Sequence, residues 1–249
     1  MNFLDLTLPT PAENLACDEA LLDWCEAEGG GEILRFWESS EIFVVVGYAN
    51  RVATETNVKV CTENKIPILR RCSGGGTVLQ GPGVLNYALI LEIAEGGPCA
   101  TINSTNQFIM ERNRAALEAE VQKRMPATRI SVSGHTDLAL QTQASTIKKF
   151  SGNAQRRKKT HLLFHGTFLL NLDLSLVEKF LTMPSLQPDY RESRSHLDFI
   201  TNLDLAGTAV KRALRDAWGA ETKLENVPHE RIGSLACDRY VTNEWNLKF

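Results

Sequence analysis

Two spacings of apolar residues recur along the chain, and each predicts a different kind of element. Residues 10–13, TPAE, form a capping box with proline at the first helical position, which predicts that a helix begins there. The apolar positions that follow have the spacing of one helical face and are Cys17, Leu21, Trp24 and Cys25. The glycines at 29–31 predict the end of this helix.

Apolar runs that lack helical spacing predict β-strands. These runs cover residues 33–37, 42–46, 66–69, 84–93, 129–132, 138–140, 146–150 and 162–172. Further helices are predicted over residues 55–64, from a second capping box at 104–107 to about residue 123, from Asp173 to residue 181, and over residues 208–218. Two strand-rich blocks separated by a long helix predict an α+β fold with a mixed or antiparallel sheet.

Charge and cysteine content narrow the function classes. A net charge of -3 gives no basic field that attracts nucleic acid or a membrane, so neither is expected as a partner. Residues 1–10 lack a leader pattern and no apolar run approaches the roughly 20 residues that span a bilayer, so a cytoplasmic location is expected. The six cysteines form no C-x-x-C pair and the five histidines no H-E-x-x-H pattern, which favours reduced thiols and disfavours a zinc cage.

The stretch most suited to chemistry is residues 69–80, LRRCSGGGTVLQ. Three successive glycines allow backbone N–H groups to converge on an anion, and the two arginines before them add planar, charged donors. We therefore predict an anionic ligand at this loop. The alternative is a glycine-rich hairpin whose arginine forms a surface ion pair. The loop matches neither a P-loop nor a GxGxxG dinucleotide turn.

A second informative stretch covers residues 147–157, IKKFSGNAQRR, and is followed by LFHGT at 163–167. We interpret it as a lysine at a strand end, a small-residue turn and a histidine that begins the next strand. Together with RRCSGGG, these blocks resemble the RR-x-SGGG, K-[FIV]-SG-[NS]-A and HHGT blocks of the lipoate-protein ligase family, in the biotin/lipoate ligase superfamily. Residues 14–22 are similar to the first helix of that family, and the resemblance extends from about residue 3 to residue 203.

The resemblance implies an α+β biotin/lipoate ligase-like catalytic domain that acts in two steps. Lipoate attacks the α-phosphate of ATP, with Mg²⁺, to give lipoyl-AMP and pyrophosphate. A lysine of a lipoyl domain or of a glycine cleavage H-like protein then takes the acyl group. ATP, Mg²⁺ and lipoate are thus the implied cofactors and substrate, and the lipoyl-domain protein is the implied partner.

The resemblance also implies a set of site residues. Lys149 is the implied catalytic residue, because its charge would stabilise negative charge that develops on carbonyl and phosphate oxygens. Arg71 would hold a phosphate oxygen, and Asp137 would help to bind Mg²⁺. The residues implied to bind ATP or lipoyl-AMP are Arg70, Arg71, Ser73, Gly74, Gly75, Gly76, Thr77, Val78, Leu79, Asn86, Asp137, Lys149, Ser151, Gly152, Asn153, Ala154, His165, Gly166 and Thr167.

Several of these residues have a structural alternative. Lys149 is alternatively an exposed strand lysine, Asp137 a strand cap and His165 a structural histidine. Arg70 is equally consistent with a ligand contact and with a structural ion pair. Asn86 is equally consistent with a ligand contact and with polar pairing in the core.

Two further features of the sequence each allow two interpretations. An apolar tunnel for the acyl tail is predicted from four strand residues, for which core packing is the alternative: Phe43, Val45, Tyr87 and Leu89. The basic residues 156–159, RRKK, are either a solvated loop or a cationic patch that steers acidic acceptor domains.

The chain departs from the family in two places. The glycine loop of the family continues into a histidine-aspartate pair, whereas residues 79–83 read LQGPG, which is similar to the related octanoyltransferases. Long-form ligases also carry a C-terminal accessory domain, and only a short segment follows Leu203 here. We therefore expect one catalytic domain over residues 1–249, with 210–249 as a terminal helix and tail. A separate accessory subunit would then be a candidate partner.

Three rival functions follow. A lipoyl or octanoyl transferase would use a preformed donor through an acyl-cysteine, but residues 129–140, where the relatives carry that cysteine, have none, and Cys72 is interpreted as a small filler. A biotin ligase would need a GRGRxGR-type loop, which RRCSGGG replaces. A catalytically silent binding module would keep the fold, and the retention of Lys149 beside the SGNA block disfavours it.

Overall fold

A computed structural model describes residues 1–141 and 146–249. Its strands in chain order are β1 (Asn2–Asp5), β2 (Ile33–Glu38), β3 (Phe43–Val46), β4 (Ile68–Arg70), β5 (Val78–Gln80), β6 (Val84–Glu92), β7 (Arg129–Ser133), β8 (Asp137–Gln141), β9 (Ile147–Arg157), β10 (His161–Leu169) and β11 (Thr222–Lys223). Its helices are α1 (Pro11–Glu28), α2 (Val52–Glu55), α3 (Val58–Glu63), α4 (Ile102–Arg124), α5 (Ser175–Phe180), α6 (His196–Phe199), α7 (Gly207–Trp218), α8 (His229–Leu235) and α9 (Asn243–Asn246). A 3₁₀ turn (Asp189–Arg191) and a π-helical turn (Ala236–Tyr240) complete the regular structure of these residues.

Eight strands form one mixed sheet in the order β11-β1-β2-β6-β10-β9-β8-β7. The pairs of β1 with β2 and with β11 are parallel, and the other neighbours are antiparallel. The central β6–β10 pair joins strands from before and after the long helix α4. The two strand-rich blocks of the sequence therefore build one sheet, in agreement with the predicted α+β class.

The second sheet is small, with the order β4-β3-β5. It packs beside α1 through Phe43, Val45 and Leu69, while Val44, Val46 and Leu79 face a separate apolar cluster that includes α5. The opposite face of the large sheet is covered by α4 and α7. The chain connecting β4 to β5 is the glycine loop, which thus lies on the α1 side of the large sheet.

Local capping explains where α1 begins and ends. Thr10 Oγ1 accepts the Glu13 N–H at 3.2 Å, and Glu13 Oε2 accepts the Thr10 N–H at 2.9 Å. Gly29 ends the helix in the left-handed conformation, with φ 68°, where glycine has no Cβ penalty. Both ends of this predicted helix are confirmed.

The structure differs from three local predictions. The second capping box is Thr101 with Ser104, so α4 begins three residues earlier than residues 104–107 suggested. The helix predicted over 55–64 is divided by Thr56, whose extended backbone bridges to Leu181. The predicted turn at 151–154 is wrong, because β9 continues through it, with β8 and β10 pairing on its two sides.

The tail after α7 carries elements that apolar spacing did not predict. β11 extends the edge at β1, and α8 with the π-helical turn packs on α1. Trp245 Nε1 donates to the Arg70 carbonyl at 2.8 Å, and Asn246 Oδ1 accepts the Arg70 N–H at 2.9 Å. The tail thereby braces the strand that leads into the glycine loop. Among the described residues, no helix has the length and apolar character needed to cross a membrane.

Candidate active site

The glycine loop is shaped by Arg71, which is buried beneath it. The guanidinium donates to the Gly74 carbonyl through Nη2 at 2.5 Å and to the Gly76 carbonyl at 2.7 Å, and Nε donates to Ser73 Oγ at 3.1 Å. Burial lowers the pKa of Arg71 to about 10. These contacts orient the loop from within, and the phosphate contact implied for Arg71 stays a prediction.

The amides of the glycine loop are available to a ligand. Within residues 1–141 and 146–249, the N–H groups of Gly74, Gly75 and Gly76 donate to no protein acceptor, and the three residues are exposed. Gly75 has φ 84°, which an L-residue rarely adopts. Successive free amides at such a bend form an anion-binding concavity. The loop therefore has the donors that the sequence predicted for a negatively charged group.

The Arg70 guanidinium is held by backbone carbonyls of the protein. Its Nη1 donates to the carbonyls of Gly47, Tyr48 and Asn50 at 2.8 to 3.0 Å, and Nε donates to the Trp245 carbonyl at 3.1 Å. The side chain is fully buried, and burial lowers its pKa. Arg70 thus binds backbone carbonyls rather than a carboxylate, and it ties the loop to the tail.

Lys149 lies on β9 and forms an ion pair at the start of β8. Its Nζ is 2.8 Å from Asp137 Oδ1, and the Tyr190 hydroxyl donates to the second carboxylate oxygen, Oδ2, at 2.7 Å. About a quarter of the Lys149 side chain is exposed, at 26%. Burial raises the pKa of Tyr190, and the Asp137 charge raises it further, so this hydroxyl stays protonated. Asp137 and Tyr190 together fix the ammonium while leaving it accessible.

The lysine is positioned over Gly152 on the loop side of the sheet. A Cβ added to Gly152 would lie 2.7 Å from Lys149 Nζ, and one added to Gly75 would lie 3.3 Å from Ala154 Cβ. Gly152 and Ala154 are two residues apart on one face of β9, a separation of about 7 Å. The ammonium and the exposed loop amides therefore border the same small area. We call this side of the large sheet, with Lys149, Gly152, Ala154 and the amides of Gly74–Gly76, the loop face.

Two rows of paired residues cross the loop face. One row joins Gly152, Thr167, Asn86 and Trp37 on adjacent strands, and the other joins Ala154, His165, Ala88 and Arg35.

Asn86 exchanges two hydrogen bonds with Gln80, at 2.8 and 3.0 Å, so polar pairing in the core is observed and its ligand contact stays a prediction. Trp37 is 2% exposed, and its Nε1 has no acceptor among the described residues.

The other residues of the SGNA block face α4. Asn153 Oδ1 accepts the Tyr87 hydroxyl at 2.6 Å, and Asn153 Nδ2 lies 3.3 Å from Ser151 Oγ. The Gly166 Cα points to the same side, since a Cβ there would lie 1.7 Å from Asn153 Oδ1. The block is thus divided between the two faces by the alternation of the strand.

The prediction that four strand residues line one acyl tunnel is wrong. Tyr87 and Leu89 belong to the apolar cluster under α4, whereas Phe43 and Val45 belong to the cluster under α1. The large sheet separates these two clusters, so the four side chains cannot line one channel. Residues Thr77 to Leu79 enter β5 beside the loop, where Thr77 Oγ1 accepts Asn50 Nδ2 at 3.2 Å.

A buried polar chain runs behind the glycine loop. Ser73 Oγ is 2.6 Å from His165 Nε2, and His165 Nδ1 is 3.1 Å from Asp18 Oδ2. Asp18 is also ion-paired with Arg35. Burial acts to raise the pKa of Asp18, but the Arg35 charge and the His165 hydrogen bond hold it below its usual value. The sequence motifs did not predict that four further residues contribute to this region: Asp18, Arg35, Tyr190 and Trp37.

The basic residues 156–159 are mostly engaged within the protein. Arg156 Nη1 donates to the Cys72 carbonyl at 2.8 Å, Arg157 Nη2 donates to the Cys99 carbonyl at 2.7 Å, and Lys158 pairs with Asp23 at 2.5 Å. Steering of an acceptor by this cluster stays a prediction.

No cysteine is suited to attack at this site. The buried cysteines are Cys17, Cys25, Cys61, Cys72 and Cys99, and burial raises the pKa of each. Cys72, next to the loop, has its pKa raised to about 12. Cys237 is exposed but lies on the π-helical turn beside α1. No cysteine among the described residues therefore presents an exposed thiol at the loop face.

The described residues do not form a metal cage. No group of three or more His, Cys, Asp or Glu side chains among them is arranged to hold an ion. Both oxygens of Asp137 are already engaged, by Lys149 and Tyr190. The implied role of Asp137 toward Mg²⁺ stays a prediction, and we assign no step to the metal.

Known proteins match this chain along most of its length. A family model described as the lipoyl protein ligase A/B catalytic domain matches residues 10–214. An octanoyltransferase LipM of Halalkalibacterium halodurans is 24% identical over 99% of this chain and 98% of the relative. A bi-partite lipoate protein ligase from Thermoplasma acidophilum, studied with its E2 lipoyl domain, has a TM-score of 0.77 at 23% identity and covers 99% of this chain and 95% of its own. A lipoate-protein ligase A bound with ATP has a TM-score of 0.71 at 24% identity, over 99% and 98%. These two structures confirm the predicted fold.

Proposed function

The chain belongs to the lipoyl protein ligase A/B catalytic-domain family, and we propose on this basis that it transfers an octanoyl or lipoyl group from a preformed acyl donor to a lysine of a lipoyl-domain protein. The observation that carries the choice of donor is the end-to-end match with a relative named octanoyltransferase, over 99% of this chain and 98% of that relative. The LQGPG continuation of the glycine loop, similar to the octanoyltransferases, supports the same choice.

The loop face supplies the groups that acyl transfer requires. When an amine attacks a thioester, negative charge develops on the carbonyl oxygen in the transition state. Fixed N–H donors and a nearby cation stabilise such charge most effectively in a partly dry site. The free amides of Gly74–Gly76 and the ammonium of Lys149 are of this kind. Gly152 and Ala154 carry no bulky side chain, which lets Lys149 and the glycine loop approach the sheet there.

ATP-dependent ligation of lipoate is the second candidate. It is favoured by the pairing of Lys149 with Asp137, two residues implied by the ligase resemblance, and by the lack of a reactive thiolate at the loop face. In that reaction the same ammonium would contact the carbonyl and phosphate oxygens of an acyl-adenylate. By likeness to the bi-partite lipoate protein ligase of Thermoplasma acidophilum, which was studied with its E2 lipoyl domain, a lipoyl-domain acceptor and a separate accessory subunit would be the partners in that reaction.

Two donor mixtures given to one acceptor distinguish the candidates. The purified chain and an apo lipoyl domain are incubated either with octanoyl- or lipoyl-thioester, or with lipoate, ATP and Mg²⁺. Acceptor mass and pyrophosphate are measured separately. We expect acceptor acylation from the thioester without pyrophosphate release.

Acylation only in the ATP mixture, with pyrophosphate, would contradict transfer from a preformed donor and support the ligase. No acylation from either mixture would contradict both candidates. Lys149→Gln provides the blank for catalysis, because uncatalysed aminolysis of the thioester continues in that variant.

A further inference from the structure

The contacts between Ser73, His165 and Asp18 resemble those of a hydrolase catalytic triad. Ser73 has the position of the nucleophile, His165 that of the base, and Asp18 that of the carboxylate that orients the base. The hydroxyl Oγ lies 2.6 Å from His165 Nε2, and Nδ1 lies 3.1 Å from Asp18 Oδ2. Asp18 is ionised and paired with Arg35, so its Oδ2 accepts a hydrogen bond from Nδ1–H of His165, which leaves Nε2 free to accept a hydrogen bond from Ser73 Oγ. This is the tautomer that a general base requires.

The surroundings of Ser73 fit the remaining parts of such a site. Arg71 Nε donates to Ser73 Oγ at 3.1 Å, which favours negative charge on that oxygen. Gly74, the next residue, has an N–H with no protein acceptor among the described residues. The amide after a nucleophile is a common donor to the oxyanion of an acyl-transfer intermediate. These contacts involve no cysteine.

We propose that Ser73 carries the acyl group as an ester during transfer, with His165 as its general base; the inference rests on the proposed function. Ser73 Oγ attacks the thioester carbonyl carbon while its proton moves to His165 Nε2. The carbon–sulfur bond then breaks, and the thiol leaves with the proton from Nε2. The products of this half-reaction are a serine ester and a free thiol.

The second half-reaction returns the enzyme to its starting state. The neutral amine of the acceptor lysine attacks the ester carbonyl and gives a proton to His165 Nε2. The carbon–oxygen bond to Ser73 breaks, and Oγ takes back that proton. The net products are an amide on the acceptor and the thiol of the donor, so no oxidant, metal or nucleotide is consumed.

Access to Ser73 requires movement of the loop. The side chain is buried, with the residue 1% exposed, whereas Gly74–Gly76 beside it are exposed. Glycine backbones rearrange at low steric cost. Acylation of Ser73 therefore requires Gly75 and Gly76 to move, with loss of the Arg71 contact to the Gly76 carbonyl, while the Gly74 amide stays beside Oγ.

The test is to trap the ester before the acceptor is added. The chain is mixed with octanoyl-coenzyme A alone, quenched in acid and analysed by intact mass and by fragmentation of the peptide that contains residues 72 and 73. We expect one octanoyl group on Ser73, stable to neutral hydroxylamine, and its transfer to an apo lipoyl domain at the steady-state rate.

Variants separate chemistry from folding. Ser73→Ala is expected to lose the adduct and about 10³-fold or more of the transfer rate. Ser73→Cys is expected to keep an adduct that becomes labile to neutral hydroxylamine, which also covers a failure of Ser73→Ala to fold. Asp18→Asn is expected to slow Ser73 acylation by about 10²-fold or more with the donor KM unchanged. The exposed-cysteine control, Cys237→Ser, keeps the adduct.

The outcomes are distinguishable from failure of the proposed function. Acceptor acylation from the thioester with no enzyme adduct, with an adduct on another residue, or at the wild-type rate in Ser73→Ala overturns the serine intermediate and leaves the transfer function standing. Absence of acceptor acylation from the thioester overturns both.

Discussion

The two faces of β9 use alternate residues of one short block for different purposes. On the side of α4, Asn153 belongs to a buried chain in which Tyr87 donates to it, Asn113 donates to Tyr87 at 3.0 Å, and Trp218 donates to Asn113 at 2.8 Å. On the loop face, Lys149 lies over Gly152, and Gly75 of the glycine loop approaches Ala154.

This contrast separates stability from chemistry along a single strand. The α4 face satisfies its polar atoms with one another, so a substitution there leaves a buried group without a partner. The loop face keeps donors free or partly exposed, so a substitution there removes a contact to substrate. Changes one residue apart are therefore expected to have different consequences.

The largest effect expected among substitutions on the two faces of β9 is that of Lys149→Gln. A unit charge about 4 Å from a developing oxyanion, at an effective dielectric of about 20, contributes about 4 kcal/mol, which is roughly three orders of magnitude in kcat/KM. Acceptor acylation from the thioester donor is the measurement, and the melting temperature is recorded beside it because Asp137 loses its charged partner and keeps only the Tyr190 hydrogen bond.

The neighbouring residue is the matched control. Lys148 Nζ donates to the Leu197 carbonyl at 3.2 Å, away from Asp137, so Lys148→Gln is expected to keep full activity. Equal losses in the two lysine variants would contradict a specific role for Lys149.

Next in size is a pair of glycine variants on opposite faces. In Gly152→Ala the new Cβ would lie 2.7 Å from Lys149 Nζ and displace it, and a misplacement of about 1 Å costs up to about 10²-fold in kcat. In Gly166→Ala the Cβ would lie 1.7 Å from Asn153 Oδ1, so overpacking is expected to cost about 1–3 kcal/mol of unfolding free energy instead. Kinetics and denaturant unfolding of both variants test this, and a kinetic defect of the same size in both would remove the distinction between faces.

A smaller effect is expected from Tyr87→Phe on the α4 face. The loss of the hydroxyl leaves Asn153 Oδ1 and Asn113 Nδ2 with one partner fewer, at a cost of about 1–3 kcal/mol of unfolding free energy. The transfer rate, measured well below the melting temperature, should equal that of the wild type. A rate loss without destabilisation would place Tyr87 in the reaction.

The smallest effect concerns His196 on α6, which takes no part in the contacts of Lys149 or Asn153 described above. Its Nε2 donates to the Thr182 carbonyl at 3.0 Å, and burial lowers its pKa below the usual 6.5. A group with a lowered folded-state pKa stabilises the protein above its unfolded pKa, and this stability is lost as pH falls through the folded pKa. Unfolding free energy is thus expected to decline below about pH 6.5. The decline should be smaller in His196→Gln, and identical pH profiles would contradict this.

The sequence identified those parts of the site that local patterns encode. The glycine loop, the SGNA block and the α1 capping box are runs of neighbouring residues with direct backbone meaning. The turn predicted at 151–154 failed because pairing with β8 and β10 overrides the local preference of serine and glycine for turns.

The partners missed by motifs are distant in the chain. Asp18 and His165 are separated by 147 positions, and Tyr190 follows Asp137 by 53. Each contact depends on how α1 and the loop after α5 pack against the sheet, which spacing along the chain does not specify. The tail was missed for the same reason, since its contacts with Arg70 span 175 and 176 positions.

The most direct test of the account is a crystal structure of the chain with a non-transferable octanoyl methyl ketone analogue of the thioester donor. We expect the ketone oxygen within hydrogen-bond distance of the amides of Gly74–Gly76, with Lys149 on the same side of the sheet. An analogue bound on the α4 face, or a Lys149 ammonium turned away from the ketone, would contradict the assignment of the loop face as the active site.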